Sequence, residues 1–247
     1  MYVYGKNQVV ELLKSTPQRV EKVFISRKTH LPLELLRLLE TLNTPVIHVD
    51  NEKIERMVGN DRHQGVVAVV REMEFSSLAE VVDKTVTKRG ILLVCDHIKD
   101  PQNLGNIIRS CDALGATGVV IPAMKAAGFT EAVIKASAGA VFNIHICVVE
   151  NLASFLREIK KRDIWVYVLE RGGKCLYDAV YNFPMALVVG SEDEGVGEGI
   201  KKTSDEIVSI PMVGKINSLN AASSAAIALS WILYIKGADN GEKVFHS

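Results

Sequence analysis

The sequence predicts an α/β fold in two parts, a small mixed unit followed by a larger, mostly parallel sheet with helices on both faces. In the larger part, from Ile91 onward, apolar runs such as ILLVC and MALVV alternate with amphipathic stretches such as NLGNIIRSCDALG. This alternation is typical of buried parallel strands joined by helices. The smaller part, residues 1 to 71, places the strand-like runs KVFIS, PVIHVD and GVVAVV between helical stretches such as LPLELLRLLETL, which indicates a compact domain.

The predicted elements follow one another without internal repeats or low-complexity segments. EMEFSS, residues 72 to 77, is interpreted as a connector, and LAEVVDKTVTKRG after it as a helix. The predicted domain boundary separates residues 1–73 from residues 74–247. In the second part, short apolar runs predict strands and longer amphipathic runs predict helices. The strands are expected at ILLVC, GVVI, IHICVV, IWVYVLE, MALVV and EIVSIP, and the helices at NLGNIIRSCDALG, EAVIKASAGA, LASFLREIKKR and the segment after Asn220.

The composition and the first residues argue against a disordered protein, a polycationic nucleic-acid-binding protein and a membrane protein. Of the 247 residues, 48% are hydrophobic and 23% are charged, as in folded globular proteins. The 29 basic and 29 acidic residues cancel, so nucleic-acid binding would need a local patch of positive charge. The first residues, MYVYGKNQVVELL, lack the features of a signal peptide, and no apolar stretch approaches the length of a membrane span. We expect a cytoplasmic protein without membrane contacts.

The four cysteines do not form a metal-binding pattern. Cys95, Cys111, Cys147 and Cys175 are far apart, and none of them forms a C-x-x-C pair. This spacing argues for reduced residues in or near the core. We therefore expect no metal site.

Three loops after predicted strands are richer in small and polar residues than the other turns. They are DHIKDPQN after ILLVC, GSEDEGVGEG after MALVV, and PMVGKINSLN after EIVSI. Ligands of open parallel sheets bind outside the carboxyl ends of the strands, so these loops form the candidate site. Ser218 and Asn220 also have a structural explanation, because Ser and Asn commonly cap the first turn of a helix.

The glycine-rich loop after MALVV does not match the common nucleotide-binding motifs. Gly190 and Gly195 have the spacing of a P-loop, but Val196 and Gly197 stand where Lys and Ser or Thr are required. No G-x-G-x-x-G follows the first strand of the second part, which leaves little support for dinucleotide binding. In isolation, the loop is equally consistent with a surface turn.

Taken together, the three loops resemble the signature motifs of the SpoU family of RNA ribose 2′-O-methyltransferases. The matching segments are DPQNLGNIIRSCDALGATGVVIP, LVVGSEDEGV and IPMVGKINSLNAASSAAIAL, in this order at the ends of successive strands. YGKNQVVELL, FIS and HQGVVAVV resemble the L30e-like RNA-binding domain that precedes the catalytic domain in many members. The similarity is greatest to the bacterial 23S rRNA guanosine 2′-O-methyltransferase branch.

The resemblance implies features that periodicity does not reveal. Family members have a catalytic α/β domain with a trefoil knot at its C-terminal end, bind S-adenosylmethionine in the knotted loops and act as homodimers. For this chain, it implies an L30e-like domain over residues 1–73 and a knotted catalytic domain over residues 74–247. The small-residue segment AASSAAIALSWIL would contribute to a dimer interface, although core packing predicts the same pattern.

The resemblance also assigns catalytic roles to particular residues. The expected catalytic residues, taken from the three motifs in order, are Asn103, Arg109, Glu192, Ser218 and Asn220. Four of them have structural alternatives, since Asn103, Ser218 and Asn220 could cap helices and Arg109 could form an ordinary surface ion pair. No metal is implied.

The residues expected to bind the methyl donor are Gly190, Ile210, Met212 and Leu219. Adenine and ribose are well held by backbone groups of tight loops and by apolar side chains. A tight turn would also explain Gly190, and core packing would explain Ile210 and Leu219. The chain departs from the family pattern at Asp193, where Gly is common, and at Ala222, where Ser is often found.

The implied reaction depends mainly on positioning. The methyl group of S-adenosylmethionine is already activated on a sulfonium cation, so the protein must hold a ribose 2′-oxygen in line with it and help the proton leave. Arginine stays protonated in proteins. We therefore expect Arg109 to clamp a phosphate and stabilise the developing alkoxide, while the proton passes to Glu192, to phosphate or to water.

The first part of the chain is expected to select the RNA. Basic residues there would contact the phosphates of folded RNA, with ordinary solvated surface charge as the alternative. The candidate members of this basic patch are Arg19, Lys22, Arg27, Lys28, Arg56, Arg62 and His63. The resemblance favours ribosomal RNA as the target, and tRNA is the alternative.

Two other classes of function are also considered. A non-catalytic RNA-binding protein could retain the fold, but the complete set of motif residues argues against it. A small-molecule methyltransferase would have no need of residues 1 to 71.

Overall fold

The computed structural model describes residues 1–15, 17–70, 75–123, 130–215 and 218–239. The chain divides into two compact units, Met1–Glu74 and Phe75–Ser247. The predicted connector EMEFSS lies only partly within the described residues, because residues 72–74 are outside them. The helix expected after it begins at Leu78.

Within the described residues, the first unit is a four-stranded mixed sheet with three α-helices. Its elements in chain order are β1 (Tyr2–Tyr4), α1 (Lys6–Ser15), a 3₁₀ turn (Pro17–Arg19), β2 (Val20–Ser26), α2 (Leu33–Thr41), β3 (Val46–Val49), α3 (Asn51–Val58) and β4 (Val66–Val70). The strand order is β1-β4-β2-β3, with β2 and β3 parallel and the other two pairs antiparallel. The helices bury aliphatic side chains such as Val9, Leu35 and Ile54, so this unit has its own core.

The predicted basic patch does not form one surface. His63 is wrongly included, because its side chain is buried, 2% exposed, and its Nδ1 accepts a backbone N–H two residues further on at 2.9 Å. Arg27 and Lys28 follow β2, and Arg62 precedes β4. Because β2 and β4 are antiparallel, these three exposed residues lie at one end of the sheet. Arg19 precedes β2 and therefore lies at the other end.

The second unit contains a six-stranded parallel sheet within the described residues. Its elements are α4 (Leu78–Thr87), β5 (Ile91–Cys95), α5 (Pro101–Ala113), β6 (Gly118–Pro122), α6 (Glu131–Ala136), a 3₁₀ turn (Ala140–Phe142), β7 (Ile146–Val149), α7 (Leu152–Lys160), β8 (Trp165–Cys175), β9 (Met185–Val189), α8 (Glu198–Lys201), β10 (Glu206–Ser209) and α9 (Ala221–Asp239). The strand order is β10-β8-β9-β5-β6-β7, and every pair is parallel. The predicted α/β class with a parallel sheet is confirmed.

Helices cover both faces of this sheet. All residues of β5 and β9 are buried, which explains their uninterrupted apolar runs. On one face, strand residues such as Leu92 pack with Val81 of α4 and Phe155 of α7. On the other, α5 and α9 contact each other and lie against β6 and β9. Because helices cover both faces, the loops that follow the strands meet at the carboxyl edge of the sheet.

The cysteines lie where the sequence predicts them. All four are free, and Cys95, Cys111 and Cys147 are buried. Burial raises the pKa of the Cys95 thiol to about 12, so this group stays protonated. Among the described residues, no group of three or more His, Cys, Asp or Glu side chains is arranged to hold a metal ion. No helix in the described part of the chain is long and apolar enough to cross a membrane.

Candidate functional site

The loops after β5, β9 and β10 meet at the carboxyl edge of the parallel sheet. β5 and β9 are paired along their whole length, and the N–H of Asp96 bonds to the carbonyl of Val189 at 2.8 Å where both strands end. The loops after β9 and β10 border a cleft of about 230 Å³. The predicted site residues that line this cleft are Gly190, Glu192, Ile210, Met212, Ser218 and Leu219.

Three polar side chains, one from each motif, are joined by direct hydrogen bonds. The Nδ2 of Asn103 donates to Glu192 Oε1 at 3.1 Å. The Nδ2 of Asn220 donates to the same carboxylate oxygen and to Asn103 Oδ1, both at 2.8 Å. The N–H of Ala221 donates to Glu192 Oε1 at 2.9 Å. The structure thus brings the three motifs together around one carboxylate.

The start of α5 positions Asn103. Asp100 is the N-cap of this helix, and its carboxylate accepts the N–H groups of Gln102 at 3.1 Å and Asn103 at 3.3 Å. Pro101 occupies the first turn, where its missing N–H removes no helical hydrogen bond. The alternative that Asn103 is the cap is therefore wrong. Its side chain is left available for Glu192.

The start of α9 positions Asn220. The Oδ1 of Asn220 accepts the N–H groups of Ala222 at 2.9 Å and Ser223 at 3.3 Å, so its amide caps the helix with the oxygen and reaches Glu192 with the nitrogen. Ser218 does not share the capping role expected of it, because α9 begins at Ala221 and Ser218 lies three residues earlier. The Glu192 carboxylate lies at the positive end of the α9 dipole, where negative charge is stabilised.

Arg109 is not part of this junction. It is exposed on α5, six residues after Asn103, which corresponds to about 9 Å along a helix axis and roughly 120° around it. It is not among the residues that line the cleft. Arg109 therefore lies outside the cleft that Glu192 borders.

The predicted donor-binding residues all line the cleft. Met212 is 37% exposed and Leu219 is 36% exposed, so core packing does not explain Leu219. A Cβ atom on Gly190 would lie 2.2 Å from the carbonyl carbon of Gly195, which only glycine avoids. The tight-turn explanation of Gly190 is thus correct, and the same turn borders the cleft.

Outside the loop after β9, sequence reasoning missed three charged residues that line the cleft: Glu170, Arg171 and Lys201. A signal for the first two was present. Leu169 of β8 pairs with Val189, the last residue of β9. Glu170 and Gly190 therefore occupy equivalent positions, each directly after the paired segment of its strand. The rule that ligands bind beyond strand ends also applied to IWVYVLE, but only the three polar loops were considered.

A second set of contacts ties the loop after β5 to the loop after β9. Lys99 forms an ion pair with Glu194, and the Nε2 of His97 lies 3.7 Å from the same carboxylate. The hydrogen bond and the charge of Glu194 raise the pKa of Lys99. Exposed ion pairs of this kind add little to stability, but they link two of the three loops of the site.

Comparison with known sequences gives the class of protein. A family profile described as "SpoU rRNA Methylase family" matches residues 90–230, and one described as "RNA 2′-O ribose methyltransferase substrate binding" matches residues 2–76. The chain belongs to the SpoU rRNA methylase family.

Relatives and solved structures resemble the chain over most of its length. YacO of Bacillus subtilis (strain 168), provisionally named a TrmH family tRNA/rRNA methyltransferase, is 37% identical over 98% of each chain. The 23S rRNA (guanosine-2′-O-)-methyltransferase RlmB of Nitrosomonas europaea is 34% identical over 92% of this chain and 89% of its own. The crystal structure of the SpoU methyltransferase AviRb from Streptomyces viridochromogenes, in complex with the cofactor AdoMet, superposes with a TM-score of 0.76 at 25% identity, covering 96% of this chain and 90% of AviRb.

Proposed function

We propose that the protein transfers the methyl group of S-adenosylmethionine to a ribose 2′-oxygen in RNA, and that its target is a guanosine of 23S rRNA. The observation that carries the proposal is the hydrogen-bonded junction of Asn103, Glu192 and Asn220 beside the cleft. The similarity to RlmB of Nitrosomonas europaea supports 23S rRNA as the substrate. The AdoMet complex of AviRb supports the choice of donor.

The cleft has the chemistry that the donor requires. The aliphatic side chains of Ile210, Met212 and Leu219 and the backbone next to Gly190 provide an apolar wall with polar backbone groups, which suits adenine and ribose. The donor supplies a methyl group activated on a sulfonium cation. The carboxylate of Glu192 borders the same cleft, and a negative charge there favours a cation.

The ribose hydroxyl is activated by charge stabilisation. A hydroxyl with a pKa far above neutrality attacks poorly unless its developing negative charge is stabilised. Arg109 is permanently cationic and exposed on α5, outside the cleft wall, so it acts on the RNA. We assign its guanidinium to a phosphate and to the 2′-oxygen, and the proton leaves to Glu192, to phosphate or to water.

Substitution of Arg109 tests this assignment. Arg109→Lys retains a positive charge but loses the planar pair of donors that binds phosphate oxygens. We expect methyl transfer to fall about tenfold or more, since one lost charge-stabilising donor commonly costs 10²-fold or more, with donor affinity unchanged. Near-normal turnover of Arg109→Lys with an unchanged pH profile would remove the special role of the guanidinium.

The first unit supplies the RNA contacts in this proposal. Its match to the family's substrate-binding profile and the exposed cluster of Arg27, Lys28 and Arg62 at one end of the sheet support that role. Phosphate contacts dominate the affinity of such surfaces. Binding should therefore weaken steeply with salt.

We also propose that the knot and the homodimer of the family are present here. The small residues of α9, including Ala221, Ala225 and Ala228, are buried within their own unit, which matches the core-packing alternative. The aromatic residues Tyr177, Trp231 and Tyr234 pack in series, with ring centroids 5.0 and 5.7 Å apart, and two of them are about half exposed. We assign these rings to the subunit interface. The substitution Tyr234→Glu should weaken this interface, and sedimentation experiments should then show a larger fraction of monomer.

Methyl transfer to defined RNA pools tests the main proposal. The protein and radiolabelled donor are incubated with ribosomal and transfer RNA from cells that lack the protein, and the 2′-O-methylated positions are then mapped. We expect one guanosine of 23S rRNA to be labelled. Label confined to tRNA would support the alternative target. Donor binding without label in any RNA would support the non-catalytic alternative.

A further inference from the structure

Two consecutive backbone N–H groups of the loop after β9 are held by carboxylates from different strands. The N–H of Val196 donates to Glu170 Oε2 at 2.9 Å, and the N–H of Gly197 donates to Asp96 Oδ2 at 2.8 Å. Glu170 belongs to β8 and Asp96 directly follows β5. Because β9 lies between β8 and β5 in the sheet, the loop is held from both sides.

This loop is folded tightly against Glu170. The N–H of Gly195 bonds to the carbonyl of Ser191 at 3.0 Å, which closes a turn that contains Glu192. A Cβ atom on Gly195 would lie 2.4 Å from Glu170 Oε2, so the carboxylate is in direct contact with the turn. Val196 is 1% exposed and belongs to the core. The position of Glu192 and Gly190 therefore depends on where this turn is anchored.

The contacts of Glu170 indicate that its role is to hold the protein backbone in place. Its two carboxylate oxygens accept backbone N–H groups, Oε1 from Arg171 at 3.0 Å and Oε2 from Val196 at 2.9 Å. An ion pair with Lys201 is a weaker explanation of its presence, since the Lys201 Nζ lies 3.8 Å from Glu170 but 3.0 Å from Glu198. The hydrogen bond to Glu198 is also the largest cause of the raised pKa of Lys201.

We propose that Glu170 is a positioning residue for the methyl donor. It anchors the loop through the Val196 N–H, while Asp96 anchors the same loop through the Gly197 N–H. The inference rests on the proposed function, in which the donor binds in the cleft that this loop borders. Hydrogen bonds to an ionised acceptor are stronger than neutral ones. A loop held in its binding conformation before the donor arrives loses less conformational entropy on binding.

Donor affinity measured by calorimetry with S-adenosylmethionine tests the inference without requiring turnover. In Glu170→Ala, the Val196 N–H loses its partner, and we expect the Kd to rise about tenfold because an unpaired buried N–H disorders the turn. In Glu170→Gln, the amide oxygen can still accept the Val196 N–H, but the amide nitrogen then faces the Arg171 N–H and the negative charge is lost, so the Kd should lie between the values of the unmodified protein and of Glu170→Ala. Steady-state kinetics should show a raised KM for the donor in Glu170→Ala, with kcat at saturating donor within about twofold.

Glu198→Ala is the matched control. It removes the closer carboxylate partner of Lys201 without touching the turn, so its donor affinity should equal that of the unmodified protein. A Glu170→Ala protein that binds the donor normally would overturn the inference, and so would Glu170→Gln or Glu198→Ala binding as weakly as Glu170→Ala. If Glu170→Ala does not fold, Glu170→Asp takes its place, because it keeps the negative charge but is one methylene too short to reach the Val196 N–H as Glu170 does: a Kd raised severalfold would support the inference, and an unchanged Kd would overturn it. Failure of the unmodified protein to bind the donor would instead contradict the proposed function.

Discussion

The amide of Asn220 serves two purposes at the scale of a single residue. Its oxygen accepts the N–H groups of the first turn of α9, and its nitrogen donates to Glu192 and Asn103. A hydroxyl could replace the first contact but is too short to replace the second. Helix capping and assembly of the site are therefore separable by substitution.

Asn220→Ala should lose both functions, whereas Asn220→Ser should lose one. We expect Asn220→Ala to lower the free energy of unfolding by about 1 kcal/mol, as for other lost N-caps, and to reduce methyl transfer. Asn220→Ser restores the cap and should recover stability in chemical denaturation, but not activity. Full activity in Asn220→Ser would show that the contact with Glu192 is dispensable.

His145 should make stability depend on pH. Its Nδ1 lies 2.8 Å from Ser76 Oγ, and burial, followed by the nearby charge of Lys84, lowers its pKa from 6.5, against a smaller opposing effect of Glu80. Because the folded pKa is below the unfolded value, the unfolded state binds more protons in between. The free energy of unfolding should therefore fall as the pH drops through 6.5 toward the folded pKa.

The His145→Asn variant isolates this effect. At pH 8 it should be less stable than the unmodified protein, because the hydrogen bond between the imidazole and Ser76 is lost. Between pH 7 and pH 5, however, its melting temperature should fall less than that of the unmodified protein. Thermal unfolding followed by circular dichroism at a series of pH values gives both slopes. Equal slopes would assign the pH dependence to other groups.

At the scale of elements, the loop after β9 contains a crowded glycine, and the short helix α8 that follows it contains an uncrowded one. A Cβ on Gly190 would collide with the backbone of Gly195 at 2.2 Å, whereas a Cβ on Gly199 in α8 would meet nothing within 4 Å. The first position is constrained by the path of the loop, and the second is an ordinary helical position. The two sites form a natural pair for testing the role of the turn.

Gly190→Ala should destabilise the protein by about 1–3 kcal/mol, as forced overpacking commonly does, and should abolish measurable donor binding. Gly199→Ala should be neutral or stabilise by up to about 1 kcal/mol, since alanine favours the helix, with donor binding intact. Calorimetry and denaturant unfolding of both variants give the comparison. Normal donor binding in Gly190→Ala would place the donor away from this loop.

At the scale of the whole molecule, the chain is two compact units, and the residues of the cleft all belong to the second. Each unit has its own buried aliphatic core, so the second should fold alone. The proposed function thus assigns donor binding to the second unit and RNA selection to the first.

A protein made of residues 75–247 should unfold cooperatively and bind the donor with the affinity of the full chain. Methyl transfer to RNA should fall at least about tenfold, because the phosphate contacts of the first unit are lost. Calorimetry and the methylation assay provide the two readouts. Unchanged methylation of RNA after the deletion would show that the first unit does not select the RNA.

Most elements of this fold are predictable from local patterns, because buried parallel strands such as β5 and β9 are continuous apolar runs and the helices between them are amphipathic. β1 is three residues long, too short to give a periodic signal, and it was not predicted. The buried position of His63 was also missed, since nothing in the residue itself shows whether its ring nitrogens bond inward or face solvent.

The sequence by itself determined the class of fold and the three polar loops, because residue types and their order along strands and helices are local information. Within those loops, the resemblance to the SpoU family pointed to Asn103, Glu192 and Asn220. The tertiary structure alone decided that these residues touch, that Arg109 does not line the cleft and that Glu170 accepts a hydrogen bond from the turn. The reason is the order of strands in the sheet. β9 pairs with β8 and with β5, and interstrand hydrogen bonds between distant segments leave no signature in the local pattern of either one.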